Sequence, residues 1–313
     1  MAARVSKRQS WPRGIALITA MLVMSLATVT AVSLTADQQL FYRRTENMLD
    51  HEQAYQYLLG AEDWGKQILA RDFNANKTDS LLDSWATVLP PIPVEGGTIG
   101  GTIEDLQGRF NINNLADPND KVSQDAFRQL LEINNIPPDL VNAVMDWLDP
   151  DQNVRYPDGA EDSDYMQGER AYRADNGLMA SASELLYIKG FDYNMYAVLA
   201  PALIALPVSG TPVNVNTASP LVLRMLVKGL SEQEAKGLAA DLAKNPVTDI
   251  KDFLSNKLLA GKPVSTTGID ARSSYFMIHA IAKIGRVRAH LDCMIHRASA
   301  TDVKTLLRSE GDV

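Results

Sequence analysis

Residues 146–165 read DWLDPDQNVRYPDGAEDSDY and place six carboxylates between positions 149 and 164, interrupted by one base, Arg155. Carboxylates held that close repel one another unless the loop is extended or a hard cation supplies a centre for six to eight oxygens. Asp149, Asp151 and Asn153 fall on the first, third and fifth positions of an EF-hand loop, but the sixth is Val154 where glycine is required and the twelfth is Ala160. The loop is therefore not an EF-hand. Pro157-Asp158-Gly159 forms a turn that can fold the second acidic group back on the first. The candidate ligands are Asp149, Asp151, Asn153, Asp158, Glu161, Asp162 and Asp164, and so many carboxylates suit calcium better than magnesium, which keeps more of its water. A solvated acidic loop is the alternative reading. Nothing else in the chain offers stronger chemistry. There is no Gly-x-Ser-x-Gly and no Walker A pattern, and His51-Glu52 is followed by tyrosine at position 55, where a zinc protease needs histidine. Glu161 and Asp164 could act as an acid–base pair, as in any acidic loop, so the expectation is a protein that is not an enzyme.

The chain around this loop has 313 residues, enough for a core without cross-links. Four bases, Arg4, Lys7, Arg8 and Arg13, lie in the first fourteen residues with no acid, and the remainder carries 26 basic against 38 acidic residues, net -12. Such a body repels phosphate backbones. The single cysteine, Cys293, sits in an apolar run and reads as a buried hydrophobe.

Residues 15–36 form 22 consecutive uncharged positions. As a helix they span roughly 33 Å against a bilayer core of about 30 Å. The basic flank predicts a cytoplasmic N-terminus, with everything after Asp37 outside the cytoplasm. A cleaved signal peptide is the alternative, but its apolar region is usually shorter. The helical pattern continues over 37–73, where Leu58, Ile68 and Leu69 strengthen an apolar face. Residues 85–111 and 262–298 read as β structure, the latter containing a hairpin in which Arg288, His290 and Asp292 alternate with Val287, Ala289, Leu291 and Cys293. His279, His290 and His296 lie in or beside it without clustered acids, and read as structural. Residues 299–313 read as a C-terminal tail.

Between the β parts, residues 112–261 are helical and contain an internal echo. FNINNL at 110–115 matches VNVNTA at 213–218, and each copy precedes two helical segments joined by a short turn. The asparagines are expected to cap the helices that follow. The two units resemble helix-hairpin-helix modules, which raises an alternative function, a membrane-tethered periplasmic DNA-binding protein. The first turn, Ile136-Pro137-Pro138-Asp139, has no glycine and carries an acid, and with the net charge this favours a scaffold role.

Trp11-Pro12-Arg13-Gly14 ahead of the apolar run resembles the leader of type IV pilin-like proteins. The resemblance implies that prepilin peptidase cuts after Gly14, that 1–14 is a leader, and that Ile15 becomes a methylated N-terminus. Most such proteins have glutamate at the fifth mature position, whereas this chain has Thr19. Together with GRFNINNL at 108–115, DWLD at 146–149, DGAED at 158–162 and VNVNTAS at 213–219, the whole chain resembles the minor pseudopilin K family of type II secretion. That resemblance implies an α+β, type IV pilin-like fold with a transmembrane spine helix, a small antiparallel sheet and a large helical insertion. It also implies two calcium ions in the insertion, anchorage in the inner membrane with the head in the periplasm, and assembly with minor pseudopilins I and J at the tip of the pseudopilus. Other inner-membrane secretion components and the exoproteins are further implied contacts.

Overall fold

The computed structural model describes residues 13–167 and 171–312. Most of the expected leader, 1–12, lies outside the described residues. From Arg13 to Ala75 the chain is one continuous helix, α1, of 63 residues, about 95 Å long. Hydroxyls in its apolar half turn back on the preceding turn: Ser25 donates to Leu22 O at 2.9 Å and Thr28 to Met24 O at 2.8 Å. These side chains therefore present no unmet polar group on the apolar surface of the helix. The apolar half is exposed along its length, and α1 is the one described helix long and apolar enough to cross a membrane. Its upper part buries Ala54, Leu58 and Leu69 completely.

After α1 the chain forms β1 (Leu89–Val94) and β2 (Gly97–Asp105), then enters the helical insertion. The first unit opens with β3 (Phe110–Asn111), continues through α2 (Lys121–Ile133), α3 (Val141–Leu148), α4 (Asp162–Tyr165) and α5 (Tyr193–Leu199), and closes with β4 (Leu203–Ile204). The second opens with β5 (Val213–Asn214), runs through α6 (Pro220–Leu226), α7 (Glu232–Leu242) and α8 (Ile250–Leu254), and closes with β6 (Ile269–Asp270). Each unit is tied at its base by a parallel two-residue pairing, β3 with β4 and β5 with β6.

The echoed asparagines add a second tie inside each unit. Asn113 accepts from Met179 N at 2.9 Å and donates to Met179 O at 2.9 Å; Asn216 does the same with Val247, at 2.9 and 3.0 Å. A buried primary amide thus pairs with a whole peptide group, replacing a ladder hydrogen-bond pair. Asn111 caps only a 3-10 turn (Ile112–Ala116), and α2 and α6 are capped instead by Asp120 and Ser219. This corrects the expected capping role. The asparagines precede the helices by too many residues to reach their first amides.

The insertion has its own core, in which Phe127, Leu130, Leu131, Val144, Leu185 and Leu223 are fully buried. It joins the head at Asp105, whose buried carboxylate accepts from Thr217 Oγ1 at 2.6 Å, Ser273 Oγ at 2.7 Å and Asn214 Nδ2 at 2.9 Å. One side chain thereby ties the end of β2 to the second unit and to the segment entering the next strand.

The chain returns to the head as β7 (Tyr275–Ile284), β8 (Val287–Ser299) and β9 (Asp302–Asp312). The antiparallel sheet has the order β1-β2-β7-β8-β9. Phe276, Ile278, Ala280, Leu291, Cys293 and Ile295 face α1, as the alternating pattern predicts. Gly97 allows the close approach of β2 to β7, since a Cβ there would meet Lys283 O at 1.8 Å. The expected tail at 299–313 is corrected: most of it is β9, the sheet's edge. Its sequence, DVKTLLRSEGD, has charges rather than a clean apolar face, as suits an edge strand, and so lacks the periodic signal.

Candidate cation site in the acidic loop

The loop leaves α3 at Asp149, which is buried and accepts from Asp151 N at 3.1 Å. Asp151 in turn accepts from Asn153 N at 2.7 Å. These successive turns coil the chain around its own carboxylates. The return path is set by Asp146, one turn back on α3 and fully buried. It accepts from Arg155 N at 3.1 Å and from the Arg155 guanidinium at 2.8 Å. Gly159 passes directly over it, and a Cβ there would lie 2.3 Å from Asp146 Oδ2. Asn142 holds the turn by donating to Pro157 O at 2.8 Å. The chain then delivers Glu161 into the interior. Trp147 packs edge-on against Tyr165 at 5.4 Å, and Tyr165 stacks on Tyr172 at 5.3 Å, walling the loop on the α4 side.

Asp149, Asp151 and Glu161 each bring one carboxylate oxygen within 4.8 Å of the other two. Oxygens around a common calcium ion at about 2.4 Å can be at most about 4.8 Å apart, so this spacing fits one coordination shell. Glu161 is 1% exposed and, among the described residues, neither of its carboxylate oxygens has a hydrogen-bond partner. Burial, and then repulsion from Asp146, Asp149, Asp151 and Asp162, pushes its pKa up to about 7. Burial also raises Asp146, against the pull of Arg155. A buried, unpartnered carboxylate beside two more is what a bound hard cation would satisfy. The donor set is all oxygen, which fits calcium.

The other expected ligands lie outside this group. Asn153 and Asp158 are exposed, the latter in a turn with φ 63°. Asp162 accepts from Ala174 N at 3.0 Å and lies 3.8 Å from Arg173. Asp164 pairs with Lys189 at 2.6 Å, and that hydrogen bond lowers its pKa. Asp146, which positions the site, sits on the helix before the loop and is distinguished in sequence only by its place in the DWLD run. A second acidic group, Asp72, Asp79 and Asp83, was not anticipated. It lies at the top of α1, where buried Arg297 bonds Asp72 and Asp79, and Asp83 accepts from Ser80 N at 2.6 Å and Asn76 Nδ2 at 3.0 Å, so each carboxylate has a partner within the chain. Burial and repulsion from Asp83 and Asp79 nonetheless push the pKa of Asp72 up to about 6. At the other end of α1, Gly14 lies in the first turn, Ile15 is 58% exposed, and Thr19 Oγ1 donates to Ala16 O at 3.1 Å.

Comparison with known proteins places the fold in a family. Two family models described as type II secretion system (T2SS), protein K match residues 108–208 and 213–272, which are the two insertion units. Type II secretion system protein K of Pseudomonas aeruginosa is 31% identical, over 95% of this chain and 92% of its own length. That of Aeromonas hydrophila is also 31% identical, over 95% and 97%. The fold matches a chain from the crystal structure of the GspK-GspI-GspJ complex of enterotoxigenic Escherichia coli, with a TM-score of 0.74 at 23% identity, covering 86% of this chain and all of that one. The spine helix, antiparallel sheet and paired helical units are therefore a pilin-like fold with an insertion, and the chain belongs to the type II secretion system protein K family.

Proposed function

We propose that the protein is the minor pseudopilin that caps the type II secretion pseudopilus. It would initiate fibre assembly with pseudopilins I and J and support export of folded proteins. The observation that carries this reading is the placement of bulk and charge along one rigid helix. A two-unit insertion, added to the spine helix and sheet, sits at the top of α1. Near the bottom, Thr19 offers a hydroxyl already bonded to its own helix, where a carboxylate would receive a neighbouring subunit's N-terminal amine. A subunit built this way fits a position with nothing above it. The naming of I and J in the matched complex supports those partners.

The same reading places the apolar half of α1 in the inner membrane and the head in the periplasm, with prepilin peptidase cutting after Gly14 and Ile15 methylated. Calcium at Asp149, Asp151 and Glu161 would neutralise the loop and so fix the first unit's shape. If the full chain is solubilised in detergent from cells carrying the secretion system, pseudopilins I and J should co-purify, and the mature N-terminus should be methyl-Ile15. Recovery without I and J, or cleavage near Ala36, would refute the reading. Thr19→Glu should fold normally and yield fibres of altered length; unchanged length and secretion would remove the electrostatic part of the cap argument.

A further inference from the structure

Arg155 already does part of a cation's work in the acidic loop. Its guanidinium bonds Asp146 and Asp149 together, while its backbone N–H separately donates to Asp146 at 3.1 Å. Asp149 is therefore claimed twice: by Arg155, and by the group it forms with Asp151 and Glu161. Glu161 gains nothing from Arg155, since both its oxygens stay unpartnered while it is 1% exposed. Two cations bonded to one carboxylate repel, and the repulsion is strong where water is excluded. Arg155 also has a way out. Its side chain is 27% exposed, and the backbone bond to Asp146 can persist when the guanidinium swings to solvent.

We infer that Arg155 is a built-in competitor for the cation site: its guanidinium holds Asp149 when no metal is bound and must release it when a divalent ion binds. The inference rests on the calcium reading given above. Arg155 then sets the site's affinity from within the loop, weakening binding while protecting the metal-free loop from its own charge. The removal of this one side chain changes both properties in opposite directions.

Calorimetric titration of calcium into the full chain in detergent, after chelator stripping, tests it with wild type, Arg155→Gln and Arg155→Lys. Arg155→Gln should bind calcium about tenfold tighter, the equivalent of one charge-assisted hydrogen bond no longer broken. In chelator the same variant should melt below wild type. Arg155→Lys keeps the charge but cannot bridge two carboxylates, and should tighten binding by less. Equal or weaker calcium affinity in both variants, with wild type binding normally, would overturn the inference alone. No calcium binding by any of the three would overturn the calcium reading and the inference with it.

Discussion

Two glutamates, each 1% exposed, have opposite surroundings. Glu62, on the upper spine, accepts from Arg308 Nε at 2.6 Å and Nη2 at 2.9 Å, from Lys66 at 3.1 Å, from Thr305, and from the Cys293 thiol at 3.4 Å. Burial pushes its pKa up, but these donors, Arg308 foremost, outweigh burial and hold it down at about 2. Glu161, in the loop, has no such donor and is pushed up to about 7. Burial alone therefore does not decide what a carboxylate does. Glu62 is a rivet that fastens the edge strand β9 to α1, complete within the chain. Glu161 carries a charge the chain does not satisfy, and its satisfaction has to come from a bound cation or a proton.

This contrast can be broken or sharpened by experiment. The largest effect is expected on the self-sufficient side. Arg297 is fully buried, bonds Asp72 and Asp79, and donates to Leu69 O and Ser273 O. Arg297→Met leaves two buried carboxylates without their counter-charge and should cost about 3–5 kcal/mol in denaturant unfolding of the full chain in detergent, equally with and without calcium. On the loop side, calcium at a hundred times its Kd should stabilise wild type by about 2.7 kcal/mol. Glu161→Gln, which keeps the shape and removes the charge, should lose most of that gain. Next comes Glu62→Gln, expected to cost about 2 kcal/mol, because Arg308 and Lys66 are partly exposed and find water once the carboxylate is gone.

The pH profiles should run in opposite senses. The folded pKa of Glu62 lies below its ordinary 4.5, so its contribution is present above 4.5 and is lost as pH falls towards 2. The folded pKa of Glu161 lies above 4.5, so the metal-free chain should be steadier at pH 4.5 and lose stability as pH rises through 7. Glu161→Gln in chelator should flatten the second trend and leave the first.

Much of the fold was legible because periodicity reports burial. The uncharged run at 15–36 is long and apolar enough to cross a bilayer, and the alternation through Val287–Cys293 packs its apolar side on α1. β9 was not legible, because it lacks an apolar stripe: it is held by the antiparallel ladder with β8 and by Arg308 reaching Glu62, a contact between residues 246 positions apart. The Asn-x-Asn echo marked the repeat, but the pairing of Asn113 with Met179 and Asn216 with Val247 depends on where the chain returns. In the loop, composition offered seven candidate ligands and no means of choosing among them. Asp146 and Gly159 turn the chain so that Glu161 meets Asp149 while Asp158 is left outside. Arg155 read as an interruption in an acidic run, and its bonds to Asp146 and Asp149 became visible only when the loop closed.

The most direct test of the loop's assignment is an experimental structure of the full chain prepared in calcium, with the ion identified by its anomalous scattering. The account predicts an ion bonded to Asp149, Asp151 and Glu161 at about 2.3–2.6 Å. A calcium-saturated structure with no ion between those carboxylates, and Glu161 still buried without a partner, would contradict it.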